Sequence, residues 1–251
     1  MTLDRDQLVA EHTSQRIQER LHDGHAPDYL PDFIYGAIDG TVTTFAVVSG
    51  VAGADLSSNI VIVLGLANLV GDGFSMAASN YLGTRVERQL HQKAREREAE
   101  EIDIFPEGER EEIRQIYSRK GFCGEDLDRA VDIITSDRDR WIETMLTEEM
   151  GFGLATRSPL RAATATMIAF LLIGFIPLLA FVWNAVASDP IASPYGWSCL
   201  LTAIAFFAVG AIKSRFVQQA WYWSGLETLA LGGTAASLAY AVGAALGGLA
   251  L

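Results

Sequence analysis

The sequence predicts an all-α membrane protein with five transmembrane helices and a cytosolic helical domain inserted between spans two and three. Three observations carry this reading. Apolar residues come in five blocks, 33–54, 59–82, 162–187, 196–212 and 224–251, whose charged residues are Asp39, Asp72 and Glu227. Each block can cross a hydrocarbon core, which takes about 20 helical residues and tolerates about 17. All 19 Lys and Arg residues fall on one side of these blocks: Arg5, Arg16 and Arg20 before the first, a run from Arg85 to Arg161 between the second and third, and Lys213 with Arg215 after the fourth. The loops 55–58 and 188–195 carry only Asp55 and Asp189. Cytosolic loops collect Lys and Arg, so the N-terminus is expected in the cytosol and the C-terminus on the opposite side. Aromatic residues agree as the third observation, with Trp221, Tyr222 and Trp223 at one edge and Trp183, Tyr195 and Trp197 at the other, where amphipathic rings settle among headgroups.

The 251 residues are 50% hydrophobic, with a mean hydropathy of +0.21 and a net charge of -12. Between Arg85 and Arg157 lie 19 of the 31 acidic residues, offset by 13 basic ones. That balance argues against nucleic acid and anionic lipid as main partners and points to cations. Cys123 is expected in the cytosol and Cys199 at the start of span four, so no disulfide framework is expected. Residues 1–31 are polar and lack the apolar segment of a cleavable signal peptide.

Four regions follow: a cytosolic N-terminal segment 1–31, spans one and two over 32–84, a cytosolic acidic domain 85–157, and spans three to five over 158–251. Residues 4–21, with Leu8, Val9, Ile17 and Leu21 among charges, predict a weakly amphipathic helix that Pro27 and Pro31 end. Span one starts near Phe33, and its Gly36, Gly40, Gly50 and Gly53 permit close helix approach, as do Gly65, Gly71, Gly73, Ala77 and Ala78 in span two. No breaker follows span two until Phe105-Pro106-Glu107-Gly108, which predicts one long helix continuing into the cytosol. Further helices are expected over Glu109–Arg119, Glu125–Ser136 and Asp139–Met150, the last with Trp141, Ile142, Met145 and Leu146 as its apolar positions. Gly174 and Pro177 predict a kink in span three.

Ionisable groups within spans are the first functional candidates, because a carboxylate at the bilayer centre costs about 2.5 kcal/mol or more and tends to mark an ion path. Asn68, Asp72 and Met76 recur every four residues and so share a helical face, offering an amide oxygen, a carboxylate and a thioether. Asp39, with Thr43 one turn along, lies on span one. The competing reading makes the Asp pair interhelical hydrogen-bonding groups and Met76 a packing residue. The second candidates are cytosolic. Nine acidic residues fall between Glu96 and Glu112, among them the i, i+3 pairs Glu98 with Glu101 and Glu109 with Glu112. Met145 and Glu149, four apart, would close a cage of oxygens with one sulfur. Oxygen-rich sites suit Mg, Ca, Mn or ferrous iron, and a thioether tilts them toward transition metals. The competing reading is a solvated acidic face. His12, His22, His25 and His91 show no ligand spacing and read as surface residues. The absence of a phosphate-binding loop, a nucleophile elbow and a His-Glu zinc motif argues against an organic cofactor and against an enzyme.

Two stretches add a resemblance. Asp32-Phe33-Ile34-Tyr35-Gly36-Ala37-Ile38-Asp39-Gly40 and Gly73-Phe74-Ser75-Met76-Ala77-Ala78-Ser79-Asn80-Tyr81-Leu82 resemble the first-span and second-span signatures of the vacuolar iron transporter family, over residues 32–251. The resemblance implies a homodimeric transporter of ferrous iron and manganese out of the cytosol by proton antiport, with Fe2+ or Mn2+ as bound substrate. It implies that Asp39 and Met76 are intramembrane metal and proton residues, and that Glu98, Glu101, Glu109, Glu112, Met145 and Glu149 form the metal-binding set of the cytosolic domain. Two positions depart. Plant members have a Glu where this chain has Asn68, with Asp72 one turn further, and a second Met where it has Leu146. A membrane-tethered ferritin-like iron-binding or iron-oxidising protein is the alternative, against which the missing Glu-x-x-His motif counts. A membrane scaffold with a merely acidic cytosolic face is a further one, which predicts no metal binding.

Overall fold

A computed structural model describes residues 5, 9–10, 12–23, 28–153, 157–216 and 219–249. Leu8, His25 and Pro27 of the N-terminal reading lie outside the described residues. The helices are α1 (Ser14–Asp23), α2 (Leu30–Gly53), α3 (Ser58–Ile104), α4 (Pro106–Arg119), α5 (Gly124–Thr135), α6 (Arg138–Glu148), α7 (Pro159–Gly174), α8 (Leu179–Val186), α9 (Pro194–Lys213) and α10 (Trp221–Leu246). Among the described residues there is no strand. Five stretches are long and apolar enough to cross a membrane: α2, the apolar part of α3, Pro159–Val186, α9 and α10. The protein is an all-helical, multi-pass integral membrane protein.

Local chemistry sets the ends. Pro31 occupies the first turn of α2, where a missing N–H costs nothing, and Asp32 places a carboxylate on the positive end of the helix dipole. With no breaker in its sequence, α3 runs unbroken for 47 residues. It stops where Phe105 leaves helical geometry and Pro106 starts α4, earlier than Glu109 because proline favours a first-turn position. Span three breaks at Gly174, passes through a 3₁₀ turn at Ile176–Leu178 and resumes as α8. Pro177 lies in that turn, and its carbonyl accepts a 2.6 Å hydrogen bond from Ser198 Oγ of α9.

The chain divides into two compact units, one of residues 28–83 and 159–251, the other of 84–158 with the N-terminal residues. In the first unit α2 is the hub, packed against α7, α9 and α10. Glycines make this possible. The backbone of Gly36 lies against Thr166, and a Cβ on Gly40 would stand 2.7 Å from the Phe170 carbonyl oxygen. Gly53 lies on Tyr240 and Gly243 on Gly50, which closes α2 on α10. The core between them is Phe45, Val48, Val51, Val61, Leu178, Phe181, Phe206 and Ala236. Span two is peripheral, since Val63, Leu66, Val70 and Phe74 are exposed on its outer face.

The second unit packs α4, α5 and α6 around Ile102, Ile113, Val131, Ile134, Trp141, Ile142, Met145 and Leu146. Gly121 at φ +98° and Gly124 at φ +56° make the turn between α4 and α5, a backbone that residues with a Cβ rarely adopt. Asp137 caps α6, its Oδ1 accepting from the Arg140 N–H at 2.8 Å. The surface carries ion pairs such as Arg138 with Asp103 at 2.6 Å and Arg114 with Asp128 at 2.6 Å, exposed pairs of the kind that contribute about 1 kcal/mol or less.

The glycine seam of α2 yields a direct test. Gly40→Val is expected to lower stability in detergent by about 1–3 kcal/mol or to prevent folding, because the added carbons meet backbone rather than a movable side chain. Gly233→Ala, whose Cβ would have open space around it, is expected to leave the melting temperature unchanged, so equal melting of the two variants would refute the seam.

Candidate functional site

Within the first unit, α2 and α3 enclose a cavity of about 570 Å3 lined by Pro31, Asp32, Tyr35, Asp39, Asp72, Ser75, Met76, Ser79 and Asn80. The fold therefore brings Asp39, Asp72 and Met76 together, two carboxylates and a thioether, from positions far apart in the chain. Asn68 does not join them. Its Nδ2 lies 3.4 Å from Thr43 Oγ1, and the Thr43 hydroxyl donates to the Asp39 backbone carbonyl at 2.9 Å. The expected ladder of Asn68, Asp72 and Met76 is thus split, with Asn68 spent on the facing helix and the other two on the cavity.

Among the lining residues that were not sequence candidates, Asp32 and Asn80 stand out for their hydrogen bonds. Asp32 is 7% exposed, and Asn80 Nδ2 donates to its Oδ1 at 2.9 Å and to Thr166 Oγ1 at 2.7 Å, joining α2, α3 and α7. Thr166 Oγ1 also donates to the Ala162 carbonyl at 3.1 Å. The available signal was spacing, since Asp32 precedes Asp39 by two helical turns and so shares its face. Asp32 lies one residue before the apolar block, where a charge is unremarkable.

In the second unit Glu98 and Glu101 come from α3, Glu109 and Glu112 from α4, and Met145 and Glu149 from α6 and its C-terminal cap. Glu98 is 1% exposed and Glu109 8%, and Oε2 of each is buried without a hydrogen-bond partner. Burial pushes the Glu98 carboxyl up to about 7, with further upward pressure from Glu109, Glu149, Glu101 and Glu112. Glu109 is likewise pushed up to about 7 by burial, then by Glu112, Glu101 and Glu149, and Glu112 is raised by burial and by Glu149 and Glu101. The five carboxyls thus share one electrostatic neighbourhood. They do not form a finished cage: among the described residues no group of three or more His, Cys, Asp and Glu side chains is gathered so as to hold a metal ion. Like charges drive the side chains apart, and Glu101 Oε1 is taken by Arg97 Nε at 2.9 Å. Met145 is fully buried against the apolar core, and so is Leu146, the position where plant relatives were expected to differ.

His91 corrects another expectation. It follows Glu87 by one helical turn, is half-buried, and packs edge-on against Phe152 with ring centroids 5.4 Å apart, so it is not a plain surface residue.

The sequence of this chain, with its five apolar spans and acidic helical unit, matches a known family. The VIT family model matches residues 30–244. The chain belongs to the VIT family. A vacuolar iron transporter of Toxoplasma gondii is 32% identical over 231 residues, covering 90% of this chain and 76% of that protein. Vacuolar iron transporter 1 of Arabidopsis thaliana is 30% identical over 216 residues, covering 86% of this chain and 85% of its own. The vacuolar iron transporter of Plasmodium falciparum is 32% identical over 200 residues, with 76% and 72% covered. These relatives are transporters, and this VIT protein is not an enzyme.

The raised carboxyls make stability depend on pH with a definite sign. Glu98 and Glu109 hold protons in the folded state up to about pH 7 but release them near 4.5 when unfolded. Between those values the folded state binds more protons, so its stability falls as pH rises from about 4.5 to about 7 and levels off above. Glu98→Gln with Glu109→Gln is expected to flatten that slope and to raise the melting temperature at pH 7.5 by about 3 °C or more. A melting temperature that rises with pH in the metal-free protein would contradict the burial argument.

Proposed function

We propose that this VIT protein is a secondary transporter that moves divalent transition metal, ferrous iron and manganese, out of the cytosol in exchange for protons, as a homodimer. The observation that carries the proposal is the α2–α3 cavity, in which half-buried Asp39, Asp72 and Met76 meet between the first two spans. A carboxylate there is tolerated when a cation or a proton neutralises it, so the same atom serves both ions in turn. The thioether favours transition metals over calcium and magnesium. Asp72 takes the part of the acidic residue that plant members carry where Asn68 stands, since Asn68 is engaged by Thr43 while Asp72 faces the cavity.

The region 85–157 is read as a cytosolic metal-binding domain between 32–84 and 158–251, with the N-terminal segment 1–31 in the cytosol and the C-terminus across the membrane. Glu98, Glu101, Glu109, Glu112, Met145 and Glu149 gather metal there. The orphaned oxygens of Glu98 and Glu109 support this, because a buried carboxylate without a donor is one whose partner is a cation or its own proton. The second protomer follows from the family resemblance that the first two spans carry. The relatives are vacuolar iron transporters by name, which favours transport over a ferritin-like store.

Uptake of Fe(II) or Mn(II) into proteoliposomes tests the proposal. Asp39→Asn keeps the side chain's size and removes its charge, and is expected to cut metal flux and the accompanying proton flux by about 100-fold or more while the melting temperature holds. Wild-type flux in that variant would make Asp39 a packing group and overturn the path. Asp72→Asn is expected to transport poorly and to regain part of its rate when combined with Asn68→Glu. Glu109→Ala with Glu112→Ala is expected to remove most metal binding by calorimetry on the full-length protein, with a smaller loss of transport; undiminished binding would sink the gathering role.

A further inference from the structure

The unit of residues 84–158 holds a second cavity, about 270 Å3, whose lining includes Glu87, Arg88, Leu90 and His91 of α3 and Phe152 and Arg157 of the segment after α6. It shares no residue with the acidic cluster. Gly151, at φ +71°, turns the chain so that the Phe152 N–H donates to the Leu146 carbonyl at 2.9 Å and its ring meets His91. Phe152 is therefore anchored to the unit's core.

Charge here runs opposite to the rest of the unit. Residues 84–93 carry Arg85, Arg88 and Lys93 against Glu87, and residues 150–158 carry Arg157 with no acidic residue. The acidic excess of the unit lies elsewhere, between Glu96 and Glu149. Both walls sit at the chain positions where the apolar spans begin and end: Thr84 follows the block 59–82, and Arg157 stands two residues before Pro159 starts α7. Two guanidinium groups against the one carboxylate of Glu87 leave the cavity with a positive excess, which disfavours a metal cation and matches phosphoryl oxygens, bound by paired N–H donors. Leu90 and Phe152 add apolar wall beside them, as suits a headgroup joined to an acyl-bearing glycerol.

We propose that this cavity binds a phosphate group presented at the membrane surface, the headgroup phosphate of an anionic lipid, through Arg88 and Arg157. Basic residues next to a span attract anionic headgroups in general. The cavity adds a built site to that attraction, so binding saturates and depends on these two side chains. A volume of about 270 Å3 suffices for a phosphate-bearing headgroup.

The test is thermal unfolding of the full-length protein in a neutral detergent, titrated with dioctanoyl phosphatidylglycerol, with dioctanoylglycerol, which lacks the phosphate, and with glycerol 3-phosphate, which lacks the chains. A ligand that binds only the folded state raises the melting temperature with its concentration. Saturable stabilisation by phosphatidylglycerol is expected, with half-saturation shifted about tenfold or more in Arg88→Gln and in Arg157→Gln, and unchanged in Arg129→Gln. Arg88 is exposed, so Arg88→Gln keeps the experiment decisive where Arg157→Gln fails to fold. Weaker stabilisation by glycerol 3-phosphate supports the lipid source. Equal stabilisation by glycerol 3-phosphate, sensitive to the same two variants, keeps the phosphate site and overturns the lipid as its source. Equal stabilisation by dioctanoylglycerol, no saturable effect from any of the three, or wild-type half-saturation in Arg88→Gln overturns the proposal.

Discussion

The contact between α2 and α7 constrains the rest of the membrane unit. Lipid tails are as apolar as leucine, so helices in a bilayer are held by close packing rather than by expulsion from water. Gly36 against Thr166, and Gly40 against Phe170 and Gly174, supply that closeness by letting backbone meet backbone. Gly53 and Gly243 do the same for α2 and α10. With α2 held by three neighbours, α3 is attached more lightly, Gly65 lying on Leu178 and Gly73 on Phe170. The space left beside Asp39 is the cavity.

The two carboxylate clusters face the same physical difficulty and meet it differently. At the cavity, polar partners are in place at the edge: Asn80 bridges Asp32 and Thr166, so three helices are tied next to the open face of Asp39 and Asp72. In the acidic unit Glu98 and Glu109 each bury an oxygen that has no donor, and their pKa values near 7 record the cost. A group poised near neutral pH exchanges a proton for a cation with little change in free energy. On the proposed function this is what a gathering site requires, since metal must be released again to the membrane path.

Much of the architecture was legible because it rests on one-dimensional signals. Apolar block length, the absence of a breaker before Phe105, and Gly174 with Pro177 foretell five spans, the 47-residue helix and the broken third span. The sites were legible only in part. Asp39, Asp72 and Met76 stand out as polar or soft atoms in apolar surroundings, and the fold does bring them to one cavity. Asn68 shares their periodicity, but whether it faces the cavity or Thr43 depends on how far α2 and α3 approach, which spacing does not encode. Asp32 is ordinary at a span's end until Asn80, 48 positions away, hydrogen-bonds it. An acidic run normally signals a solvated face, and nothing in its spacing announces that Glu98 is 1% exposed. His91 gains its setting from Phe152, far along the chain.

The central claim is that the cavity carboxylates exchange divalent metal for protons. Its most direct measurement is Fe(II) or Mn(II) uptake into proteoliposomes at fixed metal gradient, with the internal pH set below, equal to and above the external pH. The account predicts that an acidic interior accelerates uptake and that metal influx is matched by a rise in internal pH, both lost with Asp39→Asn. Uptake by the wild-type protein that is indifferent to the pH gradient and moves no protons would contradict it.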